Sequence, residues 1–283
     1  MTDRLPRPVI TGMGLFHAAD GINAELDAQL AERGLLAQAD ATEALSAYFP
    51  KSRLRRLPLY ARVGLCAAVS ALSDANRFPC PEDTGIVIGT FFGCQKTSFD
   101  FMDSILNDGP RLSSPLAFSH AVNNMAAGLL SLLLQAKGPA FTVNDQELSF
   151  AGALQIGISL LNNDRCSQVL VGALDEADPR LREVFPALPA VAGGVFLCLE
   201  RRNQGTTADV LWNPEKPSSP VLLRTSDGAR PLPMETPTGS ALPPAFGCAL
   251  ALNRMKENAD AAGVFQESAR SRRSALIRLE KLS

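Results

Sequence analysis

The sequence predicts a layered α/β fold. Short β-branched, apolar runs bounded by glycine alternate with longer helical patterns through the first two thirds of the chain. A helical segment at residues 149–161 is small and apolar on nearly every face, which predicts a buried helix. With 283 residues, of which 46% are hydrophobic, the chain is long enough to bury one large core or two small ones.

Each element is predicted from its local pattern. Proline recurs eight times in residues 201–244, so that stretch is predicted to be a loop or linker. The apolar run at 246–252 predicts a further strand, and residues 275–279 predict a final strand or helix. The other predicted strands are residues 9–14, 85–90, 140–143, 169–172 and 191–199, and the other predicted helices are 59–72, 99–106 and 124–135.

Charge and hydropathy exclude several classes of function. The 27 basic and 29 acidic residues give a formal charge of -2, which offers no surface for a polyanion, so we expect no nucleic-acid partner. No segment stays apolar long enough to span a bilayer, and the first residues lack the apolar core of a signal peptide. We therefore expect a cytoplasmic protein with no membrane partner.

The sequence also argues against a metal or cofactor. Its six cysteines form no Cys-x-x-Cys pair, and only His17 and His120 are available as nitrogen ligands. The pair Gly12 and Gly14 is typical of a dinucleotide-binding turn, but the third glycine of that motif would fall at His17. We expect neither a bound metal nor a cofactor.

Several segments, in order, resemble the N-terminal half of the β-ketoacyl synthases, a family with the thiolase-like fold. The resemblance covers about residues 7 to 201, with a weaker similarity at 246–252. It implies that residues 1–203 form a ketosynthase N-terminal-like domain, in α/β/α layers, and that 204–283 are a much shortened C-terminal remnant completing the same fold. The segments that carry it are Val9-Ile10-Thr11-Gly12-Met13-Gly14, Arg55-Arg56 through Leu72, Gly85 to Gly93, Asn124-Met125-Ala126-Ala127-Gly128, Lys137-Gly138-Pro139-Ala140-Phe141-Thr142-Val143, Val171-Gly172-Ala173-Leu174-Asp175 and Gly193 to Glu200.

The resemblance also locates the family's nucleophile. In the β-ketoacyl synthases, the strand after Gly-Pro runs into a sharp turn that presents a cysteine at the start of a buried helix. Counting from Thr142 places Glu147 at that position, and a shift of one residue places Gln146 there. Neither side chain forms a thioester. The family's two C-terminal histidines are also missing, because no histidine follows Arg201.

What the chain retains is the family's dimerisation strand, which here is Ala140, Phe141, Thr142 and Val143. The resemblance therefore implies a non-catalytic, chain-length-factor-like subunit that pairs with an active ketosynthase. Its pathway would be a fatty-acid, polyketide-like or aryl-polyene-like one that uses an acyl carrier protein. Residues between Leu112 and Asn124 are expected to shape the acyl tunnel, with Phe118, His120 and Asn124 as the named candidates.

Two other functions remain open from the sequence. One is a malonyl decarboxylase or acyl hydrolase that acts alone through Asp145, Glu147 or Cys94. The other is a non-enzymatic module that binds acyl chains or carrier protein. The basic clusters Arg53, Arg55, Arg56 and Arg270, Arg272, Arg273 are interpreted as solvated surface, with docking of an acidic acyl carrier protein as the alternative.

Overall fold

The computed structural model describes most of the chain. The described residues are 6–17, 36–37, 40–176, 178, 180–181, 192–215, 221–225, 228–231, 242–257, 260–268 and 271–282. Arg270, one of the basic residues singled out above, lies outside them. In the described ranges, every helix is too short or too polar to span a bilayer.

The first part of the chain forms one half of a large sheet. Its main strands are β1 (Arg7–His17), β3 (Thr84–Gly89), β4 (Ala140–Val143), β5 (Gln168–Glu176) and β6 (Ala192–Arg202), and the short strand β2 (Leu36–Ala37) pairs with β1. Their order is β4-β3-β5-β6-β1. β3 runs parallel to both β4 and β5, whereas β6 is antiparallel to both of its neighbours. β4 therefore forms the outer edge of this half.

Eight helices lie in the described residues. They are α1 (Ala41–Leu45), α2 (Lys51–Leu54), α3 (Leu59–Asp74), α4 (Gln95–Asp108), α5 (Pro115–His120), α6 (Met125–Leu134), α7 (Ser149–Asn162) and α8 (Leu242–Glu257). A single 3-10 turn, Gln146–Leu148, leads into α7.

The sheet continues into the C-terminal part without a break. Its further strands are β7 (Gly205–Trp212), β8 (Val221–Thr225), β9 (Gly228–Pro231), β10 (Ala261–Glu267) and β11 (Ser274–Leu282). They follow β1 in the order β7-β11-β10-β8-β9, and every pairing is antiparallel. The predicted boundary between residues 203 and 204 falls in the turn between β6 and β7, and the division into domains stays a prediction.

Two hydrophobic cores fix the layers. The first lies between the N-terminal strands and helices α1, α3 and α6. The second lies on the opposite face of β5 and β6, where α7 and α8 pack between these strands and the C-terminal strands β7, β10 and β11. The structure thus has the layered α/β architecture that the sequence predicts, with α7 packed between the two halves of the sheet.

The prediction of a loop over residues 201–244 was wrong, because this stretch contains β7, β8 and β9. Its prolines at 214, 217 and 220 lie between β7 and β8, and Pro231 is the last residue of β9. Proline here bounds strands and so does not exclude them. In β7, the alternate residues Ala208 and Val210 are buried, a period-2 pattern that the proline content obscured.

The predicted strand at 246–252 was also wrong, because these residues form the middle of helix α8. Every residue from Ala245 to Leu252 is buried. An apolar run of this length is ambiguous, since a helix that is buried all round shows no periodicity. The alternative left open for residues 275–279 resolves to strand β11.

Candidate functional site

The segment after β4 forms the predicted strand-turn-helix arrangement. Gln146 lies at the apex of the turn with a φ of 54°. The buried Ser149 closes the turn, because its hydroxyl donates to the Gln146 carbonyl at 2.6 Å and accepts from the Asp145 amide at 2.8 Å. These bonds replace the regular pairing that the backbone loses at the end of β4. We call residues 144–149 the elbow.

The elbow carries no thiol. Gln146 and Glu147 are both partly buried and lie in the single 3-10 turn that precedes α7. Within the part of the chain that the structure describes, Glu147 Oε2 is buried without a hydrogen bond. Which of the two residues corresponds to the family nucleophile stays a prediction, and neither has a sulfur atom to load an acyl group.

The turn between β10 and β11 packs against the elbow. The Ser268 hydroxyl donates to Gln146 Oε1 at 3.1 Å, and Ser268 is fully buried. The Arg273 guanidinium donates to both carboxylate oxygens of Asp145, at 2.9 and 3.2 Å. The turn after β10 therefore contacts the elbow through two side chains.

Two of the residues considered for an independent enzyme, Asp145 and Cys94, are held in other contacts. Asp145 is held in an ion pair with Arg273. Cys94 is buried, burial raises the pKa of its thiol, and its neighbours are Ser98 and Asn123 at 3.8 and 4.0 Å. Burial that disfavours the thiolate makes a cysteine a weaker nucleophile. Among the described residues, no group of three or more His, Cys, Asp or Glu side chains is placed to hold a metal ion.

The predicted interface strand is accessible from one side. β4 pairs with β3, and within the described residues no strand pairs with its other edge. The Phe141 side chain is 46% exposed. The Thr142 hydroxyl donates to Asn124 Oδ1 at 3.0 Å, so the residues before α6 contact the edge strand directly.

The residues predicted to shape a tunnel lie near one another on the surface. Phe118, on α5, is 61% exposed, and its ring centroid is 5.5 Å from that of Phe101 on α4. His120 ends α5 and is partly buried, and Asn124 precedes α6. The structure thus brings Asn124 to β4 and packs Phe118 on α4, while a role in shaping a tunnel stays a prediction.

An exposed apolar surface on α4 and α5 was missed by the sequence analysis. Neither helix contains a buried residue. The large hydrophobic side chains that they and their connections expose are Met102, Leu106, Leu112, Leu116, Phe118 and Val122. The sequence carries no local signal for this exposure, because the apolar residues of α4 lie on one side of the helix, as they do in a helix packed on a core. We call these six side chains the apolar surface.

A buried polar network beside the elbow was also missed. The Asp175 carboxylate, at the end of β5, accepts hydrogen bonds from Thr90 Oγ1 at 2.7 Å and from the amides of Phe91 and Phe92 at 2.8 and 3.0 Å. The Tyr60 hydroxyl donates to Thr90, and burial raises the pKa of this phenol. The network fixes the turn after β3, to which Asn144 of the elbow donates a bond.

Comparison with known proteins identifies the family. The model of the β-ketoacyl synthase N-terminal domain matches residues 17–192. The chain belongs to this family. The 3-oxoacyl-[acyl-carrier-protein] synthase 2 of Synechocystis sp. is 27% identical over 142 residues, 49% of this chain and 33% of that protein. The enzyme of the same name from Vibrio harveyi is 27% identical over 115 residues, 39% of this chain and 26% of that protein. The match thus spans a third or less of these relatives.

Solved ketosynthase structures share the fold of this family member from end to end. The ishigamide ketosynthase/chain length factor superimposes with a TM-score of 0.74 at 18% identity, covering 98% of this chain and 100% of that one. The ketosynthase ApeO with its chain length factor ApeC from Xenorhabdus doucetiae gives 0.63 at 18%, covering 97% and 99%. A complex of AntDE with AntF, a type II acyl-carrier protein with its ketosynthase, gives 0.75 at 15%, covering 98% and 99%. The predicted thiolase-like fold is confirmed.

Proposed function

We propose that this protein is a non-catalytic, chain-length-factor-like subunit that pairs with an active ketosynthase in fatty-acid or polyketide-like biosynthesis, aryl-polyene pathways included. The observation that carries the proposal is the elbow, which keeps the strand-turn-helix geometry of the family without its thiol. A protein that preserves the scaffold and lacks the nucleophile depends on another subunit for bond formation.

The chemistry of the elbow supports this role. A carboxamide at Gln146 is not a nucleophile, and a carboxylate at Glu147 gives no stable acyl intermediate. A carboxylate here would also repel the carboxylate of a malonyl group. In addition, no histidine follows residue 201 that could stabilise an enolate.

The exposed surfaces support pairing with a partner. An unpaired strand edge and a large apolar surface are liabilities for an isolated protein, and oligomers normally cover them. Here the free edge of β4 and the apolar surface lie in the same part of the chain, and the bond between Thr142 and Asn124 joins β4 to the segment that follows α5. We propose that β4 pairs with the equivalent strand of a ketosynthase and extends one sheet through both subunits.

Co-expression with a ketosynthase that is encoded beside this chain and keeps its cysteine and histidines tests the pairing. We expect a stable one-to-one complex by gel filtration with light scattering. Phe141→Asp should weaken the complex at least about tenfold, because it places a charge in an apolar interface. Tyr48→Asp is the matched control, since Tyr48 is 47% exposed but packs against Phe78. A soluble, monomeric wild-type chain that ignores the ketosynthase would overturn the proposal.

A second expectation concerns product length. We propose that Phe118, which projects from α5 beside Phe101, limits the acyl tunnel of the partner. Phe118→Ala should allow longer products, since the loss of a large ring opens space at the tunnel wall. Mass spectrometry of the products of the reconstituted pair measures this. An unchanged product distribution, with the complex intact, would remove Phe118 from that role.

An acyl carrier protein is the proposed second partner. The groove between α2 and α6 has an apolar floor that includes Leu57, Leu129 and Leu133, and Arg53, Arg56 and Lys137 line its rim. Of these cations, Lys137 is paired with Glu82, whereas no salt bridge joins Arg53 or Arg56 to an acidic group in the described residues. Such a surface complements an acidic protein.

A further inference from the structure

Two side chains of the turn between β10 and β11, those of Ser268 and Arg273, contact the elbow. Ser268 is buried directly after β10, and its hydroxyl donates to Gln146 Oε1. The turn closes on itself, because the Ser268 amide donates to the Arg273 carbonyl at 2.9 Å and the Arg272 amide donates to the Ser268 carbonyl at 3.2 Å. Arg273 is thereby held at a fixed place over the elbow.

Arg273 joins three elements. Its guanidinium forms the ion pair with Asp145 of the elbow, and its central carbon lies 5.1 Å from the centroid of the Trp212 ring at the end of β7. The indole nitrogen of Trp212 in turn donates to Gln155 on α7. Arg273 thus contacts the elbow directly and is linked to the middle of α7 through Trp212.

The neighbouring arginine behaves differently. Arg272 is exposed, and in the described part of the chain no salt bridge or aromatic contact is recorded for it. The interpretation of this basic cluster as solvated surface therefore fits Arg272 and is incomplete for Arg273. An exposed ion pair stabilises a protein little by itself, but a guanidinium that also lies over an indole gains a cation–π attraction that favours the same position.

We propose that Arg273 is a positioning residue that holds the elbow in place and so presents the end of the edge strand β4 in the geometry that the partner requires. The contacts of Arg273 support its role in holding the elbow, and the consequence for pairing with a partner rests on the proposed function. The C-terminal part would then have a structural role of its own, which is to hold the elbow in position.

Trp212 makes the contact directly measurable, because it is the only tryptophan in the chain. Asp145→Ala removes the carboxylate without touching the indole, and it removes no helix cap, since the Asp145 side chain makes no capping bond. If Asp145 holds Arg273 over the ring, Asp145→Ala and Arg273→Ala should change the Trp212 emission in the same way, and the double variant should add nothing. Arg272→Ala is the matched control and should leave the emission unchanged.

Hydrogen exchange gives a second measurement on the isolated chain. The amides of Asp145 and Leu148, which bond within the elbow, should exchange faster in both variants, whereas the amides of β5 should not change. Wild-type emission and exchange in Asp145→Ala would overturn the proposal, because the pair would then position nothing.

Binding to the co-expressed ketosynthase tests whether the position of the elbow affects pairing through β4. Each variant should raise the dissociation constant roughly twofold to fivefold, and the double variant should match the single ones. Altered emission with unchanged binding would overturn the positioning role. If the wild-type chain binds no ketosynthase, the proposed function fails, and emission and exchange still decide whether Arg273 holds the elbow.

Discussion

At the scale of single residues, the buried carboxylate of Asp175 organises the surroundings of the elbow. It accepts three bonds from Thr90, Phe91 and Phe92, and the turn that they form accepts a bond from Asn144. A buried carboxylate is tolerated only when donors surround it, and here two of the three donors are backbone amides. Asp175, on β5, therefore stabilises the turn after β3 that contacts the elbow.

We predict that Asp175→Ala lowers the free energy of unfolding by about 2–4 kcal/mol, because it leaves buried donors without an acceptor. Urea unfolding followed by circular dichroism measures this. Asp209→Ala, at an exposed position of β7, should cost less than about 0.5 kcal/mol. Equal effects of the two substitutions would show that the Asp175 network contributes no stability.

The sequence predicted the position of the elbow but not the distant residues that contact and stabilise it. Gln146 and Glu147 lie within a few residues of the strand and helix that place them, so local pattern and family resemblance located them together. Asp175 and Thr90 are 85 positions apart, and Arg273 and Asp145 are 128 apart. Such pairs depend on which strands become neighbours in the sheet, and no local pattern carries that information.

At the scale of elements, close packing of α3 on β1 decides how the N-terminal layer forms. A Cβ atom at Gly14 would lie 2.2 Å from the Ala67 carbonyl oxygen, and one at Gly12 would lie 2.4 Å from that of Ala71. These glycines are thus explained by contact between a helix and a strand, which is consistent with the prediction that they do not form a dinucleotide site. Backbone contact this close leaves room for no side chain.

Two glycine substitutions should have opposite effects. Gly14→Ala should destabilise the protein by about 3 kcal/mol or more, since the added methyl group meets backbone atoms that cannot move independently. Gly128→Ala, in α6, should stabilise it by about 0.5–1 kcal/mol, because nothing lies within 4 Å of the added Cβ and alanine favours the helix. Thermal unfolding of both variants tests this contrast, and a Gly14→Ala protein as stable as wild type would contradict the packing.

Helices and strands were predicted correctly where glycine and proline flank a segment with a single hydrophobic periodicity. β4 and the start of α7 were predicted at their observed first residues, because Gly138 and Pro139 end one element and the polar elbow begins the next. The prediction failed where composition obscured the hydrophobic periodicity. This happened in β7, which lies in a proline-rich stretch, and in α8, whose buried residues are apolar on every side. Only tertiary packing distinguishes those cases.

At the scale of the whole molecule, strand β11 of the C-terminal part has one buried and one exposed face. Along β11, Ala275, Ile277 and Leu279 are buried against the inner helices, while Arg278 and Glu280 on the opposite face are exposed. α8 is the one helix that the described C-terminal residues contain, and it lies on the inner face. Charge on the outer face of β11 is typical of an antiparallel sheet that packs one face on the core.

The central claim is that bond formation takes place on another subunit. The most direct test is intact-protein mass spectrometry of the complex with its ketosynthase after incubation with acyl- and malonyl-acyl carrier protein. We predict an acyl adduct on the ketosynthase alone, and product formation that needs both subunits and survives Glu147→Ala and Gln146→Ala in this chain. A covalent acyl group on this chain, with elongation in the absence of the ketosynthase, would contradict the account.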